Sequence, residues 1–199
     1  EAKYINTPES PIYSKSKILY GLNFAKEAIR KNNACILVEG YMDVIGSHQM
    51  EIKNTVSSSG TALTQDQIKM ITRYAADLIL AFDGDAAGQA ATRRRIALAL
   101  AGGLNVKLIT LPDGKGPSDF VDNPDEWRNA AKNAKRVIDF YFANSFSKHD
   151  SSQVEGKRAI AEEMLEVIIK ISSSTEQGYW IEVLAERLGI EAKFLIEEL

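Results

Sequence analysis

Glu39, Asp83 and Asp85 are acids that stand just past the ends of two apolar runs. Glu39 follows Ala34-Cys-Ile-Leu-Val38, and the two aspartates follow Asp77-Leu-Ile-Leu-Ala-Phe82. Continuous apolar runs of this length read as buried parallel strands. In open parallel sheets the carboxyl ends of the strands form the ligand crevice. Residues i and i+2 of an extended chain point the same way, roughly 6–7 Å apart. Two carboxylates so placed hold one divalent cation, or bridge two that sit about 4 Å apart. Ligands that are all oxygen favour Mg²⁺ or Mn²⁺ over zinc. Without a cation, two carboxylates about 4 Å apart repel by about 4 kcal/mol at an effective dielectric of about 20. Taken singly, Asp-Gly-Asp is usually a solvated turn and Glu-Gly usually just a strand end. Their combination at two strand ends, with a helix opening beyond each, suits a metal site as well as it suits solvated strand ends.

The remaining elements position these ends. A helical stretch runs from the Glu39-Gly40 end to about Met50, followed by a weak strand around Asn54 to Ser57 and a Ser-Ser-Gly turn at 58–60. Thr64 with Gln67 three positions later forms a capping box that opens a helix to about Ala75. The Ala-rich segment 86–101 is a strong helix stopped by Gly102-Gly103, and Val106 to Leu111 is a further strand. Pro112 to Asp119 is a polar loop. Strands that alternate with helices argue for parallel crossover units. After Pro124 the strand pattern vanishes. Ile160, Met164, Val167, Ile168 and Ile171 share one helical face, and Trp180, Leu184 and Leu188 share another. Lys148 to Gln153 is the expected hinge. The chain therefore divides into a lead-in (1–32), an α/β domain (33–123) and a helical subdomain (124–199).

Of the 199 residues, 45% are apolar and 26% charged, which excludes wholesale disorder. The longest uncharged apolar stretch, Ile96 to Leu104, falls well short of the roughly 20 residues of a membrane helix, and no secretory leader opens the sequence. Cys35 is the only cysteine, so an internal disulfide and a CxxC zinc site are excluded, and a reducing compartment suits the chain. Without an initiator Met, the sequence reads as a part of a longer protein. Its net charge of −3 is unevenly spread. Residues 1–32 carry +3, 33–123 carry −2 and 124–199 carry −4. A protein whose affinity came mainly from neutralising phosphates would show a basic stripe over much of its length. Any work on nucleic acid is then expected to run through metal ions or through basic surface outside this sequence.

Glu39-Gly-Tyr-Met-Asp-Val44 and Asp83-Gly-Asp-Ala-Ala-Gly88 resemble the two signature motifs of the Toprim domain, in the form found in bacterial DnaG-type DNA primases. The Tyr-Met-Asp-Val extension is more primase-like than topoisomerase-like. Lys3-Tyr-Ile-Asn-Thr-Pro-Glu-Ser-Pro11, Lys15 and Leu19-Tyr-Gly21 resemble the stretch leading into that domain. Val154-Glu-Gly-Lys157 and the 184–199 region resemble the helical subdomain that follows it. The resemblance implies a Toprim-type, Rossmann-like, mostly parallel sheet flanked by helices, followed by an all-α subdomain. It also implies a DNA-directed RNA polymerase, a nucleotidyltransferase that makes short RNA primers on single-stranded DNA with two Mg²⁺ or Mn²⁺ ions.

Carried over by position, Glu39 matches the family's catalytic glutamate, a metal ligand or proton-transfer group, Asp83 and Asp85 match its paired metal-binding aspartates, and Asp43 matches a further acid of the first motif. Lys3, Asn6 and Lys15 match residues that approach the incoming ribonucleoside triphosphate. Zinc is expected only in an N-terminal part outside this sequence. Contacts with the replicative helicase and with single-strand-binding protein are likewise expected through parts outside it. The implied setting is the bacterial cytoplasm at the replication fork, with no membrane contact. The isolated chain is expected to be weakly active or inactive. The alternatives are DNA cleavage of the Toprim nuclease or topoisomerase type, or a chain that only binds metal and nucleotide.

One motif departs from the family pattern. Where the family has an Asp-Pro-x-Asp or Asp-Pro-Asp sequence, this chain reads Lys115-Gly-Pro-Ser-Asp119. Asp113 and Asp119 are the candidates to replace the missing acids as metal ligands. Arg93-Arg94-Arg95 fans through about 200° of a helix and cannot share one face, so it reads as solvated surface from which one arginine could touch template. His48 and His149 read as ordinary surface histidines, and Tyr41 as a packing residue rather than a nucleophile.

Overall fold

The apolar runs become inner strands because both of their faces are covered. The computed structural model describes residues 7, 8, 10–59, 62–81, 86–112 and 115–199, with backbone alone for 86–91. Strands β1 (Ala34–Val38), β2 (Thr55–Ser57), β3 (Asp77–Ala81), β4 (Asn105–Ile109) and β5 (Lys135–Arg136) form one sheet in the order β2-β1-β3-β4-β5. The first four are parallel, and β5 joins antiparallel to β4. The α/β expectation is met.

Side chains alternate across the sheet as the pleat requires. Cys35, Leu37, Leu78, Leu80 and Val106 are buried on one face, and Ile36, Val38, Ile79, Ala81 and Ile109 on the other. On the first face lie α1 (Leu22–Asn32), α3 (Gln65–Thr72) and α4 (Ala86–Ala101). That core continues without a break into α6 (Val137–Lys148), α7 (Val154–Ile168), α8 (Ser174–Leu188) and α9 (Ala192–Glu197), through Phe142, Ile160, Met164, Leu184 and Leu195. On the second face lie α2 (Tyr41–Gln49), a 3-10 turn at Pro117–Phe120 and α5 (Pro124–Lys132).

The sequence reading ends the strands before Pro124, and the structure corrects it. Lys135 and Arg136 are exposed and carry no apolar alternation, yet they pair with Leu108 and Lys107. They cover what would otherwise be an open sheet edge. Trp127 of α5 is fully buried in the second-face core, and its indole N–H donates to Ser47 Oγ at 3.1 Å. The expected hinge after Lys148 is a hydrogen-bonded turn, in which the Ser152 amide donates to Asp150 Oδ1 at 2.9 Å. Among the described residues no helix is long and apolar enough to cross a membrane.

Candidate active site

β1 and β3 are parallel neighbours with Leu37 opposite Leu80. The chain therefore leaves both strands at one edge of the sheet, with Glu39 two residues beyond Leu37. Asp83 and Asp85 follow β3 in sequence but lie outside the described residues, as do Lys3, Asn6 and Asp113. The structure describes Glu39, Asp43, Lys15 and Asp119.

Glu39 is held through its backbone and aimed through its side chain. Its carbonyl oxygen accepts the Ser57 hydroxyl at 2.6 Å, and Ser57 Oγ in turn accepts the Ser59 amide at 2.9 Å. Glu39 Oε1 accepts from Arg95 Nη1 at 3.2 Å. The Glu39 side chain is 45% exposed and that of Arg95 only 12% exposed. The reading of Arg93 to Arg95 as solvated surface is thus corrected for the third arginine. Arg93 and Arg94 are exposed, and the fan that separates the three directions is what turns Arg95 inward toward Glu39.

Asp43 has both oxygens engaged by backbone donors. Oδ2 accepts the Gly40 amide at 3.1 Å and so satisfies the N-cap amide of α2. Oδ1 accepts the Ser118 amide at 3.2 Å and so ties α2 to the 3-10 turn. Gly116 and Gly46 permit this approach. A Cβ at Gly116 would come within 2.8 Å of Asp43 Oδ1, and one at Gly46 within 3.2 Å of the Ser118 Cα. Asp119 is exposed and turned back on its own turn, accepting the Gly116 amide at 2.8 Å.

Lys15 opens a 3-10 turn, Lys15–Lys17, that the capping box of α3 holds in place. Gln67 Nε2 donates to the carbonyls of Lys15 and Ile18 at 3.1 and 2.8 Å, and Thr64 Oγ1 donates to that of Ser16 at 2.6 Å. The lead-in also forms an antiparallel bridge between Tyr20 and Ser57, the residue that holds Glu39. Tyr41 packs edge-on against Tyr20 with ring centroids 4.6 Å apart, as a packing residue should. The histidines are less ordinary than their spacing suggests. His48 Nε2 is paired with the Thr55 carbonyl at 2.9 Å, His149 Nε2 with Glu163 at 3.1 Å, and both rings are half-buried.

Among the described residues no three metal-ligating side chains converge. The half-exposed Glu39 nevertheless stands at the sheet edge from which β3 runs into Asp83-Gly-Asp85. An oxygen-only donor set there fits Mg²⁺ or Mn²⁺ and does not fit a structural zinc. Sequence reasoning missed the inward turn of Arg95 and the Ser57 anchor, since neither carries a signal beyond its residue type.

Comparison with known proteins agrees with this geometry. A family model described as Toprim-like matches residues 36–121, and one described as DnaB-helicase binding domain of primase matches 138–192. Helicase contact, expected outside this sequence, thus corresponds by that description to a segment inside it. The DNA primase of Clostridium acetobutylicum is 36% identical over 98% of this chain, which covers 33% of that protein. A crystal structure of a DNA primase domain from Pseudomonas aeruginosa superposes with a TM-score of 0.88 at 30% identity, covering 99% of this chain and 63% of that one. A DnaG primase catalytic domain bound to single-stranded DNA superposes with a TM-score of 0.84 at 30% identity, covering 96% of this chain and 62% of that one. The chain spans about one third of the length of the curated relatives it matches. The comparisons do not favour the DNA-cleaving alternative. Sheet order, motif positions and these likenesses together place the chain in the family of bacterial DnaG-type DNA primases.

Proposed function

We propose that this chain is the catalytic-core part of a longer primase that synthesises short RNA primers on single-stranded DNA. The observation that carries the reading is the placement of Glu39 at the edge of β1 beside β3, in a fold that superposes on a DnaG catalytic domain over 96% of its length. Glu39, Asp83 and Asp85 are the residues that would hold divalent cations, Mg²⁺ or Mn²⁺. Bound there, the cations would neutralise charge on the phosphate being transferred. Lys15, with Lys3 and Asn6, approaches the triphosphate of the incoming ribonucleotide. Asp43 serves as a clip, holding the helix of the first motif to the turn of the third. Asp119 caps that turn, and Asp113 remains the candidate for an additional metal oxygen.

In domain terms the lead-in is strapped to the sheet, the sheet unit extends through β5, and the helical unit begins at Val137. Template and helicase are the expected macromolecular partners. The first follows from the likeness to a DNA-bound primase domain and the second from the match over 138–192. Single-strand-binding protein is a further expected partner, and the bacterial replication fork the expected setting.

The test uses the full-length parent with ribonucleotides and a single-stranded template. Glu39→Gln, Asp83→Ala and Asp85→Ala are expected to abolish primer synthesis while the protein stays folded. Nicking of DNA by the wild-type parent without primer synthesis would overturn the reading.

A further inference from the structure

We infer that Gln67 is a positioning residue for nucleotide binding, one that fixes from inside the core the turn carrying Lys15. The inference rests on the nucleotide-binding reading of Lys15 above. Gln67 is fully buried. Its Oε1 accepts the Thr64 amide at 3.0 Å, and its Nε2 donates to the carbonyls of Lys15 and Ile18 at 3.1 and 2.8 Å. The Thr64 N–H needs an acceptor, so the side-chain amide has one orientation only. Turned over, it would set its oxygen against two carbonyl oxygens.

The turn has little else of its own to hold it. None of Lys15, Ser16 and Lys17 is buried, so apolar burial does not set its place. Polar bonds from the start of α3 do, two from Gln67 and one from Thr64 Oγ1 to the Ser16 carbonyl at 2.6 Å. On the other side of the turn Leu19 is buried in the main core and Tyr20 bridges to Ser57. Taking the Gln67 donors away therefore shifts the Lys15 end while Leu19 stays seated. A triphosphate contact made from that end weakens, and chemistry at the sheet edge does not.

The experiment has two arms. In this chain, trypsin cleavage at Lys15 and Lys17 reports loosening of the turn, and cleavage at Lys26 within α1 reports any wider unfolding. Gln67→Met and Gln67→Glu, which both remove the donors, are expected to speed cleavage at Lys15 and Lys17 about tenfold and to leave Lys26 unchanged. In the full-length parent the same variants should raise KM for ribonucleoside triphosphates about tenfold, with kcat and template affinity within about twofold of wild type. Thr64→Val, at the half-buried end of the same network, should shift KM in the same direction and by less, and it serves if a Gln67 variant melts early. Faster cleavage with unchanged KM in all three would make the network structural only and overturn the inference. Unchanged cleavage at Lys15 and Lys17 would overturn it as well. Lys15→Gln is expected to raise the same KM about tenfold. If it does not, the reading of Lys15 fails and takes the inference with it.

Discussion

The Ser118 amide donates to Asp43 Oδ1 at 3.2 Å, joining the helix after the first strand to the turn after the fourth. The other oxygen of Asp43 is bonded to the Gly40 amide, so one carboxylate holds two loops at the sheet edge where Glu39 stands. An acid that its motif assigns to catalysis thus has a structural task.

Asp43→Ala removes acceptors for two backbone N–H groups and is expected to destabilise the chain by about 1–3 kcal/mol. Asp43→Asn, which keeps one carbonyl acceptor, should recover part of that loss. Thermal melting in EDTA reads the stability, and Mn²⁺ titration should stay within a few-fold of wild type. Unchanged melting with loss of Mn²⁺ binding would make Asp43 a ligand instead of a clip.

Gly116→Asp, which restores the acid that the family carries, should destabilise the turn rather than improve the site. Its Cβ would meet Asp43 Oδ1 at 2.8 Å, and its charge would add to that of Asp43. The expected cost is about 1–3 kcal/mol. Combining it with Asp43→Asn should relieve part of this cost, which a double-mutant cycle of melting temperatures would reveal.

Gly156 lies in the first turn of α7, where a Cβ would overlap the Asp150 carbonyl oxygen. Since the obstacle is backbone, Gly156→Ala should cost about 1–3 kcal/mol. Gly178 in α8 is the control, since a Cβ there meets nothing within 4 Å. Gly178→Ala should melt at the same temperature or slightly higher, as alanine is the better helix former. Equal effects from the two substitutions would show that helix propensity, not the turn, decides.

Burial pushes the Glu163 carboxyl up, but the hydrogen bond with His149 and the nearby Lys148 charge outweigh it and hold the group below its ordinary value. A lowered carboxyl contributes stability that is present above the ordinary range and is lost as pH falls through the folded-state value. The difference in melting temperature between wild type and Glu163→Gln should therefore be largest near neutral pH. It should shrink between about pH 5 and pH 3. A difference that grows on acidification would reverse the assignment.

The sheet and helical segments carry −2 and −4, and only the lead-in is positive. This chain is therefore expected to bind single-stranded DNA poorly at physiological salt, and Mg²⁺ should strengthen what binding there is by covering the acidic edge. Each phosphate contact contributes about 0.7 to the salt slope for single strands, so a shallow slope should accompany the weak binding. A labelled oligonucleotide titrated with and without Mg²⁺ measures both. Submicromolar affinity without Mg²⁺ would reveal a basic groove, with the exposed Arg93 and Arg94 the first place to look.

By itself the sequence determined the alternation of strands and helices, the strand end at which Glu39 stands, and the capping box at Thr64 and Gln67. These are local properties, set by apolar runs about five residues long, by helix-forming alanines and by cap chemistry, and each can be read within a few residues. Tertiary structure alone decided that Gln67 also grips the lead-in that carries Lys15, because the carbonyls it holds lie about fifty residues away in the chain. It alone decided that Trp127 fills the sheet's second face and that Lys135 and Arg136 become a strand, since an edge pairs with whatever backbone reaches it. The roles of Asp43 and Arg95 were decided the same way. A carboxylate's partners depend on which backbone amides or cations the folded chain brings within about 3 Å, and those at Ser118 and Arg95 come from loops and helices more than fifty residues from the acids they meet.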